Sequence, residues 1–276
     1  MDIATNEAPP LLKLRNLRTP EELLDTFKTR RRIITEDFLK DLDIPNMGPI
    51  TLTERRVSYM KEIVEDTVEE GYYPELKNAP AGQDKIIGEF MDGWKSDERG
   101  HKNALALIRD ATTPKGEVLA VDRFPYHPTS PRWYKLIGEE TSKALHMTWA
   151  TMNEALTYHV YMRMAAKTKN PTYRRLLEAI AQEELYHKVF YGGTAHWLLH
   201  RSRHARIVVP FILKTKWKSL GADVLSVKDT LFMTRYLFEG AEKGLVKTVG
   251  NFVRQLPGMQ NFYGGEKLLR RAGLTV

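Results

Sequence analysis

The segments 97–101, Asp-Glu-Arg-Gly-His, and 183–187, Glu-Glu-Leu-Tyr-His, decide how this chain folds. Each segment holds one Glu-x-x-His pair: Glu98 with His101, and Glu184 with His187. Three residues advance an α-helix by about 300° and about 4.5 Å, so the carboxylate and the imidazole of a pair lie on one helix face. Each pair therefore offers half of a metal site if its segment is helical.

Apolar residues recur every three or four positions through much of the chain, which is the period of an α-helix. Around the first pair, for example, Ile87, Phe90 and Leu105 follow this period. Helices are predicted at about residues 20–41, 53–73, 84–109, 133–168, 170–200, 207–220, 226–248 and 261–272. No alternation typical of strands and no repeat of fixed length interrupts them, so the sequence predicts an all-α fold.

Two further glutamates complete a set of four helices. Glu70 lies 28 residues before Glu98. Glu154 lies 30 residues before Glu184. A helix that crosses a bundle takes about 25–35 residues with its turn, and the gap between His101 and Glu154 leaves room for a long crossover. A single Glu-x-x-His pair also occurs on solvated helix faces, but the set of four favours a metal site.

This ligand pattern is the one found in dimetal bundles of the ferritin-like kind. We therefore predict a ferritin-like four-helix bundle core with additional helices. The core is expected at residues 51–205. Residues 1–50 are expected to pack one helix on it, and residues 206–276 to add C-terminal helices to the same domain.

Composition narrows the class of protein further. The chain of 276 residues contains no cysteine, which excludes disulfides, thiolate metal sites and cysteine nucleophiles. Its first 20 residues lack the basic start and apolar run of a secretory signal. No apolar stretch approaches the roughly 20 residues that a membrane span needs. We expect a cytoplasmic protein without a membrane span.

The chain is basic, with a formal net charge of +7. Its cations form clusters at residues 28–32, 201–206, 214–218 and 270–271. Such clusters are often solvated helix faces, but they also favour an acidic partner: nucleic acid, an anionic membrane surface or an acidic carrier protein. No zinc-finger spacing or RNA-binding aromatic signature accompanies them, so nucleic acid is not expected.

Four segments together resemble one known family, the soluble acyl-carrier-protein desaturases of the stearoyl type. Residues 66–74, Asp-Thr-Val-Glu-Glu-Gly-Tyr-Tyr-Pro, look like the family's first ligand helix, and this selects Glu70 over Glu69. Residues 94–101 look like its Trp-x-x-acid-Glu-x-x-His. Residues 154–157 look like its Glu-x-x-Thr, and residues 183–187 like its acid-Glu-x-x-His. The resemblance covers about residues 55–200.

The residues and the resemblance imply a di-iron site, with manganese possible at one position, because oxygen-rich ligand sets with imidazole suit these metals. The expected ligands are Glu70, Glu98, His101, Glu154, Glu184 and His187. Asp97 and Glu183 adjoin ligands and are expected to hold the histidines. Trp94 is expected either to form a hydrogen bond with these supporting residues or to pack as an indole in the core. Thr157 is expected to pass protons beside the oxygen-binding face, or else to bond back to its own helix.

The resemblance also implies a reaction and partners. The expected reaction is O₂-dependent desaturation of an acyl chain on an acyl carrier protein, with a ferredoxin-type electron donor and a homodimeric enzyme. Departures from the family pattern keep alternatives open, because Gly100 and Tyr186 stand where the family has Arg, and Lys102 where it has Gly. The alternatives are another di-iron oxidase or hydroxylase, a ribonucleotide-reductase small subunit, a ferritin, a non-catalytic carrier-binding protein and a nucleic-acid-binding protein.

Overall fold

The computed structural model describes residues 18–30, 32–127, 136–218 and 221–275. In chain order its α-helices are α1 (Pro20–Thr29), α2 (Glu36–Asp41), α3 (Leu52–Thr67), α4 (Tyr73–Asn78), α5 (Pro80–Gln83), α6 (Lys85–Thr112), α7 (Glu139–Lys167), α8 (Pro171–Arg201), α9 (Arg203–Lys216), α10 (Val227–Phe238), α11 (Glu242–Leu245), α12 (Asn251–Arg254) and α13 (Gly264–Arg271). A 3₁₀ turn covers Ile44–Asn46, and π-helical turns cover Val68–Tyr72 and Val246–Gly250. Extended pairing within these ranges is limited to an isolated bridge between Arg123 and Leu225. The predicted all-α class is confirmed.

The long helices begin at side chains that cap them. Thr51 and Glu54 form a capping box at the start of α3, in which each side chain accepts a hydrogen bond from the other residue's backbone N–H. Asp84 accepts from two backbone N–H groups of α6. Asn170 accepts from Tyr173 at the start of α8, where Pro171 occupies the first helical position. These caps satisfy N–H groups that would otherwise lack partners.

The predicted helix over residues 20–41 is two helices, α1 and α2. Thr19 and Pro20 start α1 with a capping box, as predicted. The chain then leaves the helix, and the backbone N–H groups of Ile33 and Ile34 both donate to the carboxylate of Glu183 on α8. This long-range contact replaces helical hydrogen bonds that local sequence favours. The N-terminal segment thus contributes two helices.

Two other predicted helices are interrupted. The helix predicted over residues 53–73 ends as α3 at Thr67 and continues as a π-helical turn. The helix predicted over residues 226–248 ends as α10 at Phe238, because Gly240 adopts a positive φ of 75° that breaks the helix. The helices containing the two Glu-x-x-His pairs lie within a few residues of their predicted bounds.

Four helices, α3, α6, α7 and α8, carry buried charged side chains, near the middle of α6, α7 and α8 and in the second half of α3. The apolar core is split there into two clusters. On α6, for instance, Phe90 and Met91 belong to one cluster, and Leu105 and Ile108 to the other. The polar side chains between these halves form a layer across the core. This layer is where a functional site can be buried and held rigidly.

The order of the two clusters along each helix gives its direction. α6 and α7 run from the cluster containing Phe90 to the cluster containing Leu105, whereas α3 and α8 run the opposite way. Consecutive helices α6 and α7 are therefore parallel, so the last residue of α6 and the first residue of α7 lie at opposite ends of the bundle. In the part of the chain described here, no helix combines the length and apolar character of a membrane span.

Candidate metal centre

One carboxylate from each of the four helices reaches the polar layer. Glu65 comes from α3, Glu98 from α6, Glu154 from α7 and Glu184 from α8. All four are buried, none with more than 6% of its surface exposed. His101 and His187, three residues after Glu98 and Glu184, join them and are fully buried. The helical spacing of the Glu-x-x-His pairs thus brings both imidazoles to one place, as predicted.

These side chains form two groups that share members. The first group is Glu65, Glu98, His101 and Glu184, and the second is Glu98, Glu154, Glu184 and His187. The ligand atoms within a group all lie within 4.8 Å of one another. Glu98 and Glu184 belong to both groups, so two ions bound here would share these two carboxylates. The cluster could hold two metal ions, each with one imidazole.

Both histidines turn Nδ1 toward the carboxylates. Nδ1 of His101 lies 3.4 Å from Oε2 of Glu98 and 3.4 Å from Oε1 of Glu184. Nδ1 of His187 lies 3.3 Å from both Glu98 and Glu184, and 3.8 Å from Glu154. The Nδ1 atoms are therefore the nitrogens placed for metal ligation, which leaves both Nε2 atoms facing outward.

Each outward nitrogen meets a carboxylate from the opposite helix. Nε2 of His101 on α6 lies 2.9 Å from Glu183 on α8. Nε2 of His187 on α8 lies 3.0 Å from Asp97 on α6. Such a partner fixes the ring orientation and the tautomer of a ligating histidine. Asp97 and Glu183 thus lie where they were predicted to act, and the structure adds that their pairings are crossed between the helices.

Other residues hold the carboxylates of Asp97 and Glu183 in place. The buried guanidinium of Arg30 forms an ion pair and a hydrogen bond with Asp97. Glu183 accepts the two backbone N–H groups of residues 33 and 34 described above. Burial alone would raise the pKa of Glu183, but the hydrogen bond and charge of His101 and these N–H groups outweigh it, and the pKa falls to about 2. Arg30, which the sequence placed in a basic surface cluster, is instead part of the support of this site.

Two residues that the sequence did not single out complete the cluster. Lys61, 2% exposed and one turn before Glu65 on α3, places Nζ 2.8 Å from the Glu65 carboxylate. The hydroxyl of Tyr161 on α7 donates to the same carboxylate at 2.6 Å. Burial would lower the pKa of Lys61, but Glu65 and Glu184 reverse this and raise it, so the ammonium stays charged.

Glu70 is not part of the cluster. Its side chain is 71% exposed and lies 3.8 Å from Arg123, on a groove of about 730 Å³. Five residues separate Glu65 from Glu70, which would turn an α-helix by about 140° beyond a full turn, and the π-helical turn at 68–72 changes the register again. The structure thus corrects the predicted member from α3: Glu65 takes the place expected of Glu70.

The spacing of α3 contained a signal for Glu65. Val57, Lys61 and Glu65 follow one another at intervals of four residues, and Val68 comes three residues later. An acid with a lysine one turn earlier, on the apolar face of a helix, indicates a buried ion pair. Tyr161 likewise lies seven residues after Glu154 and therefore on the same face of α7. The resemblance of residues 66–74 to a known ligand helix selected Glu70 instead of Glu65.

The charge of the cluster matches two divalent ions. Six carboxylates, the four of the cluster with Asp97 and Glu183, are accompanied by two buried cations, Lys61 and Arg30. Four negative charges remain when the histidines are neutral. A buried surplus of this size is costly unless it is neutralised by protons or by metal ions.

Without metal ions, protons are held tightly. Burial would lower the pKa of His101, but Glu183, Glu184 and Glu98 outweigh it and raise the value well above normal. The pKa of His187 is raised in the same way, with Asp97 as the first of its acidic partners. Burial and the charge of Glu184 raise the pKa of Glu154. These protons occupy atoms that a metal ion would ligate.

Three buried polar atoms in the cluster are available to ligate a metal ion. Among the described residues, Oε2 of Glu98, Nδ1 of His101 and Oε1 of Glu184 have no hydrogen-bond partner. The same atoms converge within the first group. Buried polar atoms nearly always have hydrogen-bond partners, and the capacity to bind an ion is one of the ordinary reasons for an exception. Oxygen-rich sites with imidazole suit iron and manganese better than zinc.

The remaining predicted site residues lie beside the cluster. Thr157, one turn after Glu154, is buried and lines a cavity of about 20 Å³ together with Lys61. A cavity of this size holds about one water molecule. Trp94 packs edge-to-face against Tyr191 at 6.0 Å, and its Nε1 has no partner among the residues described. The structure therefore places Trp94 in the core next to the site, without a hydrogen bond from Nε1 to Asp97 or Glu183.

No family model, no curated protein and no solved structure matches the chain.

Proposed function

We propose that this protein is a di-iron oxidoreductase of the ferritin-like kind that uses O₂ to desaturate an acyl chain carried by an acidic carrier protein. One observation carries the proposal: two groups of three carboxylates and one histidine share Glu98 and Glu184 at the centre of four helices. The parallel pair α6 and α7 supports the ferritin-like assignment. The resemblance of residues 94–101, 154–157 and 183–187 to the acyl-carrier-protein desaturases supports the reaction.

Glu65, Glu98, His101, Glu154, Glu184 and His187 would hold the two irons. The bound irons would supply the O₂-dependent oxidation of unactivated C–H bonds, which protein side chains alone do not perform. In the overall reaction two adjacent CH₂ groups lose two hydrogen atoms, and O₂ with two electrons and two protons becomes two water molecules. The proposal assigns those electrons to a ferredoxin-type donor.

The chain's own residues would position the ligands and exclude water. Asp97 and Glu183 fix the rings of His187 and His101 through Nε2. The apolar halves of the core above and below the polar layer keep bulk solvent away from it. The hydroxyl of Thr157, at the wall of the small cavity, would hold or move a proton at its Oγ1 atom.

The acyl chain requires more room than the small cavity offers, since ligand pockets usually measure about 300–1,000 Å³. Besides Thr157 and Lys61, the lining consists mainly of apolar side chains, with Met233 and Leu237 from α10 among them. We infer that α10 moves outward when a chain binds, because α10 contributes five of the eleven residues that line this cavity. A substrate without a long chain would need no such movement.

The cavity therefore favours a second candidate, a di-iron oxidase or hydroxylase with a small substrate. Product mass distinguishes the two. Iron-loaded protein, reduced ferredoxin, O₂ and an acyl-carrier-protein substrate should give a product two mass units lighter, whereas hydroxylation adds sixteen. The Glu184→Ala variant serves as the control without a site. An unchanged acyl chain with the intact, iron-loaded protein would overturn the desaturase proposal.

A further inference from the structure

The chain between Glu184 and Asp223 contains no acidic residue. Its cations are Lys188, Arg201, Arg203, Arg206, Lys214, Lys216 and Lys218. Most of them belong to α9 or its ends. The inner face of α9, with Ala205, Val209 and Leu213, is buried in the core. The four cations within α9 are all exposed. At about 100° per residue, Arg203 and Lys214 lie on the outer face, whereas Arg206 and Lys216 lie closer to the inner side.

Among the described residues, the cations of α9 form no ion pairs, in contrast to other cations of this protein. Arg55, Arg56 and Arg109 form ion pairs with acids on other elements. In contrast, no ion pair to Arg203, Arg206, Lys214 or Lys216 is found among the residues that the structure describes. The outer face of α9 therefore presents positive charge that this part of the chain does not neutralise.

Two large apolar side chains stand in the middle of this charge. Ile207 is 65% exposed and Phe211 is 70% exposed. They are four residues apart and so lie one above the other on the helix. Arg203 precedes them by one turn, and Lys214 follows them by nearly one turn. The outer face of α9 thus has an apolar centre with cations at both ends.

We propose that the outer face of α9 docks the protein on an anionic phospholipid surface. Amphipathic helices with cations beside Phe and Ile lie in the interface of anionic membranes, where the apolar side chains enter the acyl boundary. The charges are complementary to anionic headgroups. Ile207 and Phe211 protrude rather than line a cleft, which suits a deformable lipid layer better than a folded acidic partner, since such a partner needs a matching pocket. This inference does not depend on the metal site.

Vesicle flotation of the full-length protein tests the proposal. The protein should float with vesicles of phosphatidylcholine and phosphatidylglycerol, and not with phosphatidylcholine alone. The triple variant R203Q/R206Q/K214Q should lose roughly a hundredfold in partitioning, since each cation near an anionic surface contributes about fivefold. The variant I207S/F211S should lose about tenfold or more. Added salt should weaken binding of the intact protein.

The variant K267Q/R270Q/R271Q removes the same charge from α13 and should keep nearly full binding. An equal loss in this control would mean that net charge, and not α9, drives binding. No flotation of the intact protein would overturn the proposal. So would binding to an acidic acyl carrier protein, lost in the α9 variants, without binding to anionic vesicles. All changed side chains are exposed, and circular dichroism would verify that each variant is folded.

Discussion

The carboxylate of Asp97 contacts His187, 90 residues later on α8, and not His101, which follows it by four residues on its own helix. Glu183 makes the reciprocal contact with His101 on α6. Each Glu-x-x-His pair therefore depends on the other helix for the orientation of its imidazole. The two halves of the site form one unit, and a change in the packing of α6 against α8 would affect both.

Loss of either crossed carboxylate should weaken metal binding. Asp97→Asn should act on the ion at His187, and Glu183→Gln on the ion at His101, each by about 10–100-fold in affinity. Competition with a chelator measures this. Glu178→Gln, an exposed change on α8, should leave the affinity unchanged. Unaltered affinity in both crossed variants would show that these carboxylates do not support ligands.

Much of this site followed from the sequence. The Glu-x-x-His spacing placed Glu98, His101, Glu184 and His187 together, because a helical spacing of three is fixed by local geometry. Glu154 followed from the spacing between helices. Glu65 was missed because the choice among acids on α3 depends on where that helix ends as an α-helix, and the π-helical turn at 68–72 has no clear signal in the sequence.

The crossed pairings could not be predicted at all. They depend on how α6 and α8 face each other, and on the recruitment of Ile33, Ile34 and Arg30 from a segment that local propensity would make helical. Tertiary contacts determine both the facing of the two helices and the position of this segment, and such contacts routinely override helix propensity. Adjacency to a ligand identified Asp97 and Glu183 as supporting residues, but not which histidine each one supports.

Metal binding should release protons. His101 and His187 have raised pKa values in the metal-free protein, so both imidazoles carry protons near neutral pH that metal ions must displace. Affinity should therefore rise with pH across the neutral range, by about tenfold per pH unit for each proton released per ion. Titration calorimetry with Mn²⁺ in buffers of different ionisation enthalpy measures the proton count. Affinity independent of pH would contradict these protonation states.

Lys61→Met should have opposite effects on stability and metal affinity. Removing the ammonium leaves Glu65 buried without its cation, which should destabilise the metal-free protein by about 3–5 kcal/mol. Metal should then bind more tightly, because Lys61 no longer competes for that carboxylate. Thermal unfolding with and without Mn²⁺ should show a lower Tm and a larger metal-induced rise. A double variant with Glu65→Gln should recover stability without the tighter binding.

Lys188→Met should stabilise the protein in a manner that depends on pH. Burial lowers the pKa of Lys188 to about 8, below its value in the unfolded chain. The charged amine therefore costs stability below pH 8, and this cost fades as the pH rises toward the unfolded value. After allowance for its contacts with the rings of Tyr158 and Phe252, we expect a gain of about 2–3 kcal/mol at pH 7.

Urea unfolding at pH 7 and at pH 10 measures this gain, which should be clearly smaller at the higher pH. Lys115→Met, at an exposed position, should change stability little at either pH. A gain that is equal at both pH values would mean that hydrophobic burial, and not the charge of Lys188, is responsible.

The most direct test of the metal centre is the iron content of three anaerobically loaded proteins. The intact chain should hold two irons. Glu65→Ala should retain about one, because its group of ligands loses a member while the group around His187 stays complete. Glu70→Ala should retain two. An intact chain without bound iron, or a loss of iron from Glu70→Ala and not from Glu65→Ala, would contradict the assignment of this cluster as the metal site.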